Sequence, residues 1–155
     1  MLRISRLTDY ATVILASLGG GSLASAADIA ERTHIGLPTV SKLLKELQHA
    51  GLVKSMRGAR GGYQLARPAA GISAADIIDA VEGPVALTEC ASSSGQCDIE
   101  TTCTVGHGWQ GVSHAIRRAL VGISLTDLVS GGGEFPIPDL RRPVGRGGWR
   151  PLVRG

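Results

Sequence analysis

Leu7, Ala11, Ile14, Leu15 and Leu18 recur at steps of three and four, the spacing that places side chains on one face of a helix. Gly19-Gly20-Gly21 ends that helix, and Ser25-Ala26-Ala27-Asp28 opens another, because a serine hydroxyl can accept from the free amide three residues on. The second helix is short, running through Ile29 and Ala30 to Arg32-Thr33, and a break follows at His34-Ile35-Gly36. Pro38 stands where proline is tolerated, in a first turn whose amides have no helical partner. Val40, Leu43, Leu44 and Leu47 then carry an apolar stripe to Ala50, and Gly51 closes the helix.

Two short helices around a tight turn containing glycine, the second with Thr39, Ser41, Lys42 and Lys45 on its polar side, form the helix-turn-helix pattern. The period next becomes extended: Leu52 to Arg57 and Tyr63 to Ala66 read as strands around Gly58-Ala59-Arg60-Gly61-Gly62. A hairpin directly after a recognition helix is a wing, so the expected fold is mainly α with a small β-hairpin wing. Ser73-Ala74-Ala75-Asp76 repeats the capping pattern and opens a helix through Ile77, Ile78 and Val81 that Gly83-Pro84 ends. Thr88 to Gly108 shows no sustained period; an unstructured loop of about 20 residues is uncommon in a compact domain and tends to be functional.

A helical face returns with Trp109, Val112, Ala115, Ile116, Ala119 and Leu120, and Leu125 to Val129 reads as a short last turn or helix. After Ser130 glycine, proline and arginine dominate, the composition of a disordered tail. The expected divisions are a winged helix-turn-helix at 1–67, a connecting helix at 68–87, a cysteine-bearing loop at 88–108, a long and a short helix at 109–130, and the tail at 131–155.

The net charge of +3 hides an asymmetry. Residues 1–67 carry nine Lys/Arg against four Asp/Glu, residues 68–130 carry two against seven, and the tail adds five arginines against Glu134 and Asp139. A basic lobe joined to an acidic one is the footprint of a polyanion partner. No apolar run approaches the roughly 18 residues of a membrane span, and the stretch Ala11 to Leu18 leads to no leader cleavage site, so a cytoplasmic location is expected. Neither G-x-S-x-G nor a P-loop is present and the cysteines lack a base placed to activate them, so no enzymatic activity is expected.

A recognition helix enters the major groove with its first turns, which makes Thr39, Ser41 and Lys42 candidates for base or phosphate contact and Lys45 for phosphate contact. In the wing, Arg57 and Arg60 flank a turn whose glycines let the backbone approach a phosphate, and an arginine tip suits a narrow minor groove. The second constellation is Cys90-x6-Cys97-x5-Cys103, the only cysteines of the chain. An odd count leaves a thiol unpaired in any disulfide scheme, and thiolates gathered on one loop favour an iron-sulfur cluster or zinc. The spacing is not the C-x2-C of a zinc knuckle. On these residues alone, structural zinc or redox-active thiols stand as the alternative, and an iron-sulfur carrier or electron-transfer protein as a more distant one that would need no helix-turn-helix.

Leu2-Arg3-Ile4-Ser5-Arg6-Leu7-Thr8-Asp9-Tyr10-Ala11, the segment from Asp28-Ile29-Ala30-Glu31-Arg32 to Gly51-Leu52-Val53, the wing Arg57-Gly58-x-x-Gly61-Gly62-Tyr63-x-Leu65 and the three-cysteine loop ending at Trp109 belong to one pattern. It resembles the bacterial family of iron-sulfur winged-helix transcription regulators that includes the Isc regulator and the nitric-oxide-sensing repressor, most of all regulators of the SUF iron-sulfur assembly operon. The resemblance covers about residues 1–130. It implies a homodimer joined through a long dimerisation helix after the loop, binding a pseudo-palindromic operator as a repressor that senses cluster status or oxidative or nitrosative stress.

The same resemblance implies a [2Fe-2S] or [4Fe-4S] cluster on Cys90, Cys97 and Cys103 with Asp9 or His107 as fourth ligand. Asp9 matches the first-helix acid that the nitric-oxide sensor draws from its partner subunit. His107 lies one place beyond the position of the Isc regulator's histidine, where Gly106 stands here. His34 and His114 are lesser candidates. Arg57 agrees with the Isc regulator, whereas Pro38, Thr39, Ser41 and Lys42 depart from it, so the resemblance implies the mode of DNA binding and not the operator sequence.

Overall fold

The computed structural model describes residues 4–84 and 106–131, with Gly106 and His107 by their backbone alone. Helix α1 (Arg6–Ser17) leads into α2 (Ala26–Thr33) and α3 (Leu37–His49), followed by the hairpin β1 (Val53–Met56) and β2 (Gly62–Leu65). A single 3-10 turn at Ala69–Gly71 precedes α4 (Ala74–Val81), and α5 (Gly106–Val121) and α6 (Leu125–Val129) complete the described chain.

Four serines start four helices. Ser5, Ser25, Ser73 and Ser124 each accept from the amide three residues on, and at Ser25, Ser73 and Ser124 an aspartate three residues later returns a carboxylate to the serine amide. Each such box satisfies two amides that a helix start leaves without partners. At the other end of α3, Gly51 at φ 73° lets its own amide reach Gln48 O and the Leu52 amide reach Leu47 O, at 3.0 and 2.9 Å. This six-to-one closure with glycine in the left-handed region stops the recognition helix and turns the chain into β1.

The turn between α2 and α3 is made by His34, the one non-glycine residue at positive φ (56°) among the described residues, with buried Ile35 and the N-cap Gly36 behind it. The wing pairs Val53 with Leu65 and Met56 with Gly62, antiparallel. It is anchored by a third extended position that the alternation of the sequence does not announce: Ala24 exchanges two backbone hydrogen bonds with Tyr63, at 2.8 and 3.1 Å. The approach is close enough that Gly62 has no room for a Cβ, which would fall 2.8 Å from Ala24 O.

One buried cluster runs through the molecule. Ile14, Leu15 and Leu18 of α1 meet Ile29 of α2, Val40, Leu43, Leu44 and Leu47 of α3, and Leu52 and Val53 at the wing. Ile72, Ile77 and Leu125 belong to the same cluster, all at 1% exposure or less. The chain returns to it because Ser73 and Ser124 form a two-residue bridge: the Leu125 amide donates to Ile72 O at 2.7 Å and the Ala74 amide to Ile123 O at 2.8 Å. Truncating a fully buried leucine of such a core typically costs about 2–5 kcal/mol.

Helix α5 begins at Gly106, three residues before Trp109, where its apolar face starts. The glycines at 106 and 108 carry no periodic signal, so the sequence places the boundary too late. His107 accordingly lies in the first turn of α5.

Candidate nucleic-acid interface and cluster-binding region

The first turns of α3 present Thr39 and Ser41 half-buried and Lys42 exposed, with Lys45 exposed one turn on. Lys42 Nζ lies 3.9 Å from Glu46 Oε1 on the same helix, an exposed pair weak enough to yield the ammonium to a phosphate. The opposite face of α3 is its buried stripe, so the polar side cannot rotate inward without exposing Val40, Leu43, Leu44 and Leu47. Gln48 Nε2 donates to Ser55 Oγ at 3.1 Å, tying the recognition helix to β1 and fixing the wing beside it. Arg57 and Arg60 are exposed in the turn between the strands. That turn needs glycine at Gly58, with φ 128°, and at Gly61, where a Cβ would meet Met56 O at 2.5 Å. Two polar surfaces, one helical and one at a hairpin tip, thus stand side by side in the order a duplex groove and its flanking backbone require.

The second region lies at the start of α1. Asp9 is exposed in its first turn and lines an open cleft of about 600 Å³ with Thr8, Thr12, Ile77, Leu120 and Leu128. Next to it, the Glu82 carboxylate accepts from the Ser5 amide at 3.0 Å and from the Thr8 hydroxyl. The Thr8 hydroxyl holds the Glu82 carboxyl below its ordinary value of 4.5; partial burial opposes it, and the Ser5 amide adds to the lowering. Thr8 is 3% exposed, so its hydroxyl needs an acceptor inside the protein. Glu82 itself ends α4, and Gly83 at φ 85° followed by Pro84 turns the chain away into the segment that carries the cysteines.

Two further ion pairs bind α4 in place. Arg67, just after the wing, reaches Asp76 Oδ2 at 2.9 Å. Burial works to raise the Asp76 carboxyl, but the Ser73 amide and hydroxyl with the Arg67 charge outweigh it and hold the group below 3.8. From α5, Arg117 engages Asp79 through both guanidinium nitrogens. Sequence reading passes over Glu82, Arg117 and Ala24. Only Glu82 leaves a signal: a carboxylate at the negative end of a helix dipole is misplaced for its own helix and asks for a partner elsewhere.

Residues 4–131 match the Rrf2 family, described as iron-dependent transcriptional regulators. The chain belongs to the Rrf2 family. It is 33% identical over 135 residues to the HTH-type transcriptional regulator IscR of Cereibacter sphaeroides, a match covering 83% of this chain and 87% of that one. Its fold is that of T. potens IscR, with TM-score 0.59, 32% identity and coverage of 83% of this chain and 87% of the other. It is also that of CymR, the global cysteine regulator of B. subtilis, with TM-score 0.64, 30% identity and coverage of 86% and 100%. The winged helix is therefore the DNA-binding part of an Rrf2 transcription regulator. No helix among the described residues is long and apolar enough to cross a membrane.

In this Rrf2 chain Cys90, Cys97 and Cys103 lie outside the described residues, as does the side chain of His107. Among the described residues no group of three or more His, Cys, Asp or Glu side chains could hold a metal ion. The donor chemistry is consistent with an iron-sulfur cluster: three thiolates on one segment, and one exposed carboxylate, Asp9, on the turn of α1 beside which that segment departs. His34 is exposed and serves the turn between α2 and α3; His114 is exposed on α5.

Proposed function

We propose that this Rrf2 regulator is a homodimeric repressor of iron-sulfur assembly genes that reads cluster status through a cluster on Cys90, Cys97 and Cys103, completed by Asp9 or His107. Thr39, Ser41, Lys42 and Lys45 of α3 and Arg57 and Arg60 of the wing contact a pseudo-palindromic operator. The observation that carries this reading is the anchoring of the cysteine-bearing segment at both ends. It leaves from Glu82, bonded to the first turn of α1, and returns into α5, bonded to α4 by Arg117. Both anchors pack on the core that holds α3.

When bound, the cluster supplies a tie between thiolates that oxidants, nitric oxide or iron shortage can break. The chain's own residues do the rest. The Glu82 contacts fix where the chain leaves the winged helix, the long α5 offers Trp109, Val112 and Val121 for a second copy, and α3 and the wing set the spacing of the two reading heads. A cluster changes operator affinity only as far as it favours one dimer geometry over another.

Anaerobic purification tests the reading. The expected product is a coloured dimer with iron and acid-labile sulfide in cluster stoichiometry that binds its own promoter at low salt. Asp9→Ala and His107→Ala separate the fourth ligands, since the variant lacking it shows an altered or lost cluster spectrum. Colourless protein with stoichiometric zinc, or with free thiols only, overturns the cluster. Failure to bind DNA at low salt overturns the placement of the reading heads.

A further inference from the structure

The recognition helix begins without the device that starts α1, α2, α4 and α6. Those four open on a serine whose hydroxyl accepts from the helix, and each has an aspartate in its first turn. Helix α3 opens on Gly36, which has no side chain to cap with, and its first turn holds no acid. In place of those polar groups stand Leu37 and Pro38, both exposed. The apolar residues on either side of them turn inward: Ile35 is buried and Val40 fully so, while Leu37 is 46% exposed.

Helical spacing puts the pair on the reading side. Pro38 precedes Ser41, Lys42 and Lys45 by three, four and seven residues, so the four share one face of the helix. The stripe of Val40, Leu43, Leu44 and Leu47 is buried on the opposite side. Leu37 stands at the edge between the two faces, three residues before Val40 and four before Ser41, and its exposure shows that the core stops short of it. A DNA-reading helix brings its first residues to the base edges. There neither side chain can donate or accept a hydrogen bond, proline lacks even an amide, and any polar base edge they covered would lose its partners. The major groove offers one apolar group, the C5 methyl of thymine.

We infer that Leu37 and Pro38 form an apolar reading tip that packs on the C5 methyl group of an operator thymine and so selects thymine on the strand it meets. Lys42 and Lys45, further along the same face, supply attraction to any duplex; the tip supplies a preference that charge cannot. The inference rests on the proposed entry of α3 into the groove and adds to it the base that its first turn recognises.

The test compares two versions of the chain's own promoter fragment, one amplified with thymidine triphosphate and one with deoxyuridine triphosphate, which pairs alike but lacks the methyl. Fluorescence anisotropy at fixed salt gives the affinity of the full chain for both, as wild type, Leu37→Met, Lys42→Ala and the double variant Leu37→Ala/Pro38→Ala. Wild type is expected to bind the uracil fragment about threefold or more weakly. Leu37→Met keeps an apolar tip and should keep most of that ratio. The double alanine variant should bring the ratio towards unity by losing affinity for the thymine fragment alone, with a melting temperature near wild type because Leu37 and Pro38 are exposed. Lys42→Ala should weaken both fragments alike and leave the ratio unchanged.

Equal affinity of wild type for the two fragments overturns the inference. So does a wild-type ratio that persists in the double alanine variant, since uracil would then act through the shape of the duplex and not through the tip. With Lys42→Ala still weakening both fragments, either result leaves α3 in the groove and removes only the thymine contact. If neither Lys42→Ala nor the double variant changes the affinity for the thymine fragment, α3 does not enter the groove, and the proposed reading head falls together with its tip.

Discussion

Arg117 of α5 donates to both carboxylate oxygens of Asp79 of α4, at 2.7 and 2.6 Å. The hydrogen bond to Asp79 raises the guanidinium above its ordinary value, against a smaller opposing effect of burial. Two parallel bonds in this fork geometry fix orientation as well as distance. They bind the helix that follows the cysteine-bearing segment to the helix that precedes it, and α4 in turn packs on α1 and α3.

Breaking this pair should loosen α5 more than it destabilises the whole. The two side chains are 41% and 26% exposed, so solvent screens much of the attraction. Arg117→Ala or Asp79→Ala should each cost about 1 kcal/mol, and the double variant should cost little more than either alone. Thermal denaturation of the four proteins of this cycle measures the coupling; full additivity would show that the pair contributes nothing.

Acid should act through the helix caps. The carboxyls of Asp28 and Asp127 are held below 3.8 by the serine hydroxyls and amides they face, Asp76 is held there against its burial, and Glu82 lies below 4.5. A depressed folded-state value means stability that is fully present above the unfolded value and lost as pH falls through the folded one. These caps therefore add nothing to the pH dependence near neutrality and begin to fail below about pH 4.5. Melting temperature followed from neutral pH into acid should show this limb in wild type and a shallower one in Asp76→Asn. An equally steep limb in that variant would place the acid sensitivity elsewhere.

What the sequence made legible and what it hid divide by range. The boxes at Ser25 and Ser73 and the stripe from Val40 to Leu47 are relations within four residues, where spacing alone determines who can meet whom. The winged helix follows from them, as does the polar face holding Thr39, Ser41, Lys42 and Lys45. The bonds of Ala24 to Tyr63, Glu82 to Ser5 and Arg117 to Asp79 join residues 39, 77 and 38 positions apart, and no local period records them. Leu125 shows the same limit: a five-residue helix has too few positions for a face, yet its first residue is fully buried with Ile14 and Ile77. For the candidate cluster site, spacing identifies the thiols, whereas the bond from Glu82 to the first turn of α1, the turn that carries Asp9, comes from packing.

The wing should be intolerant of a single methyl group. In Gly62→Ala the new carbon would lie 2.8 Å from Ala24 O and 2.9 Å from its carbonyl carbon, both backbone atoms that cannot swing aside. The strand must therefore separate from Ala24, at a cost of about 1–3 kcal/mol. Because the hairpin carries Arg57 and Arg60, operator affinity should fall further than stability does, and helical content should stay near wild type. Circular dichroism with an operator titration tests this; wild-type affinity in Gly62→Ala would mean that the wing does not touch DNA.

Salt dependence separates the two kinds of DNA contact. A lysine or arginine on a phosphate displaces a counterion, so removing it should lower the slope of log affinity against log salt by about one and weaken all sequences alike. Lys45→Ala and Arg60→Ala should behave in this way. Thr39→Ala and Ser41→Ala carry no charge and should leave the slope alone while reducing discrimination between operator and unrelated DNA by about 1–3 kcal/mol if each reads one base. Lys42 has an internal control, since Glu46 lies 3.9 Å from it and competes with a phosphate for the ammonium. Glu46→Gln should therefore tighten binding slightly at low salt, and the gain should vanish in the Lys42→Ala background. Fluorescence anisotropy across a salt series measures all of these, and a gain from Glu46→Gln that survives the loss of Lys42 would place the phosphate contact on another side chain.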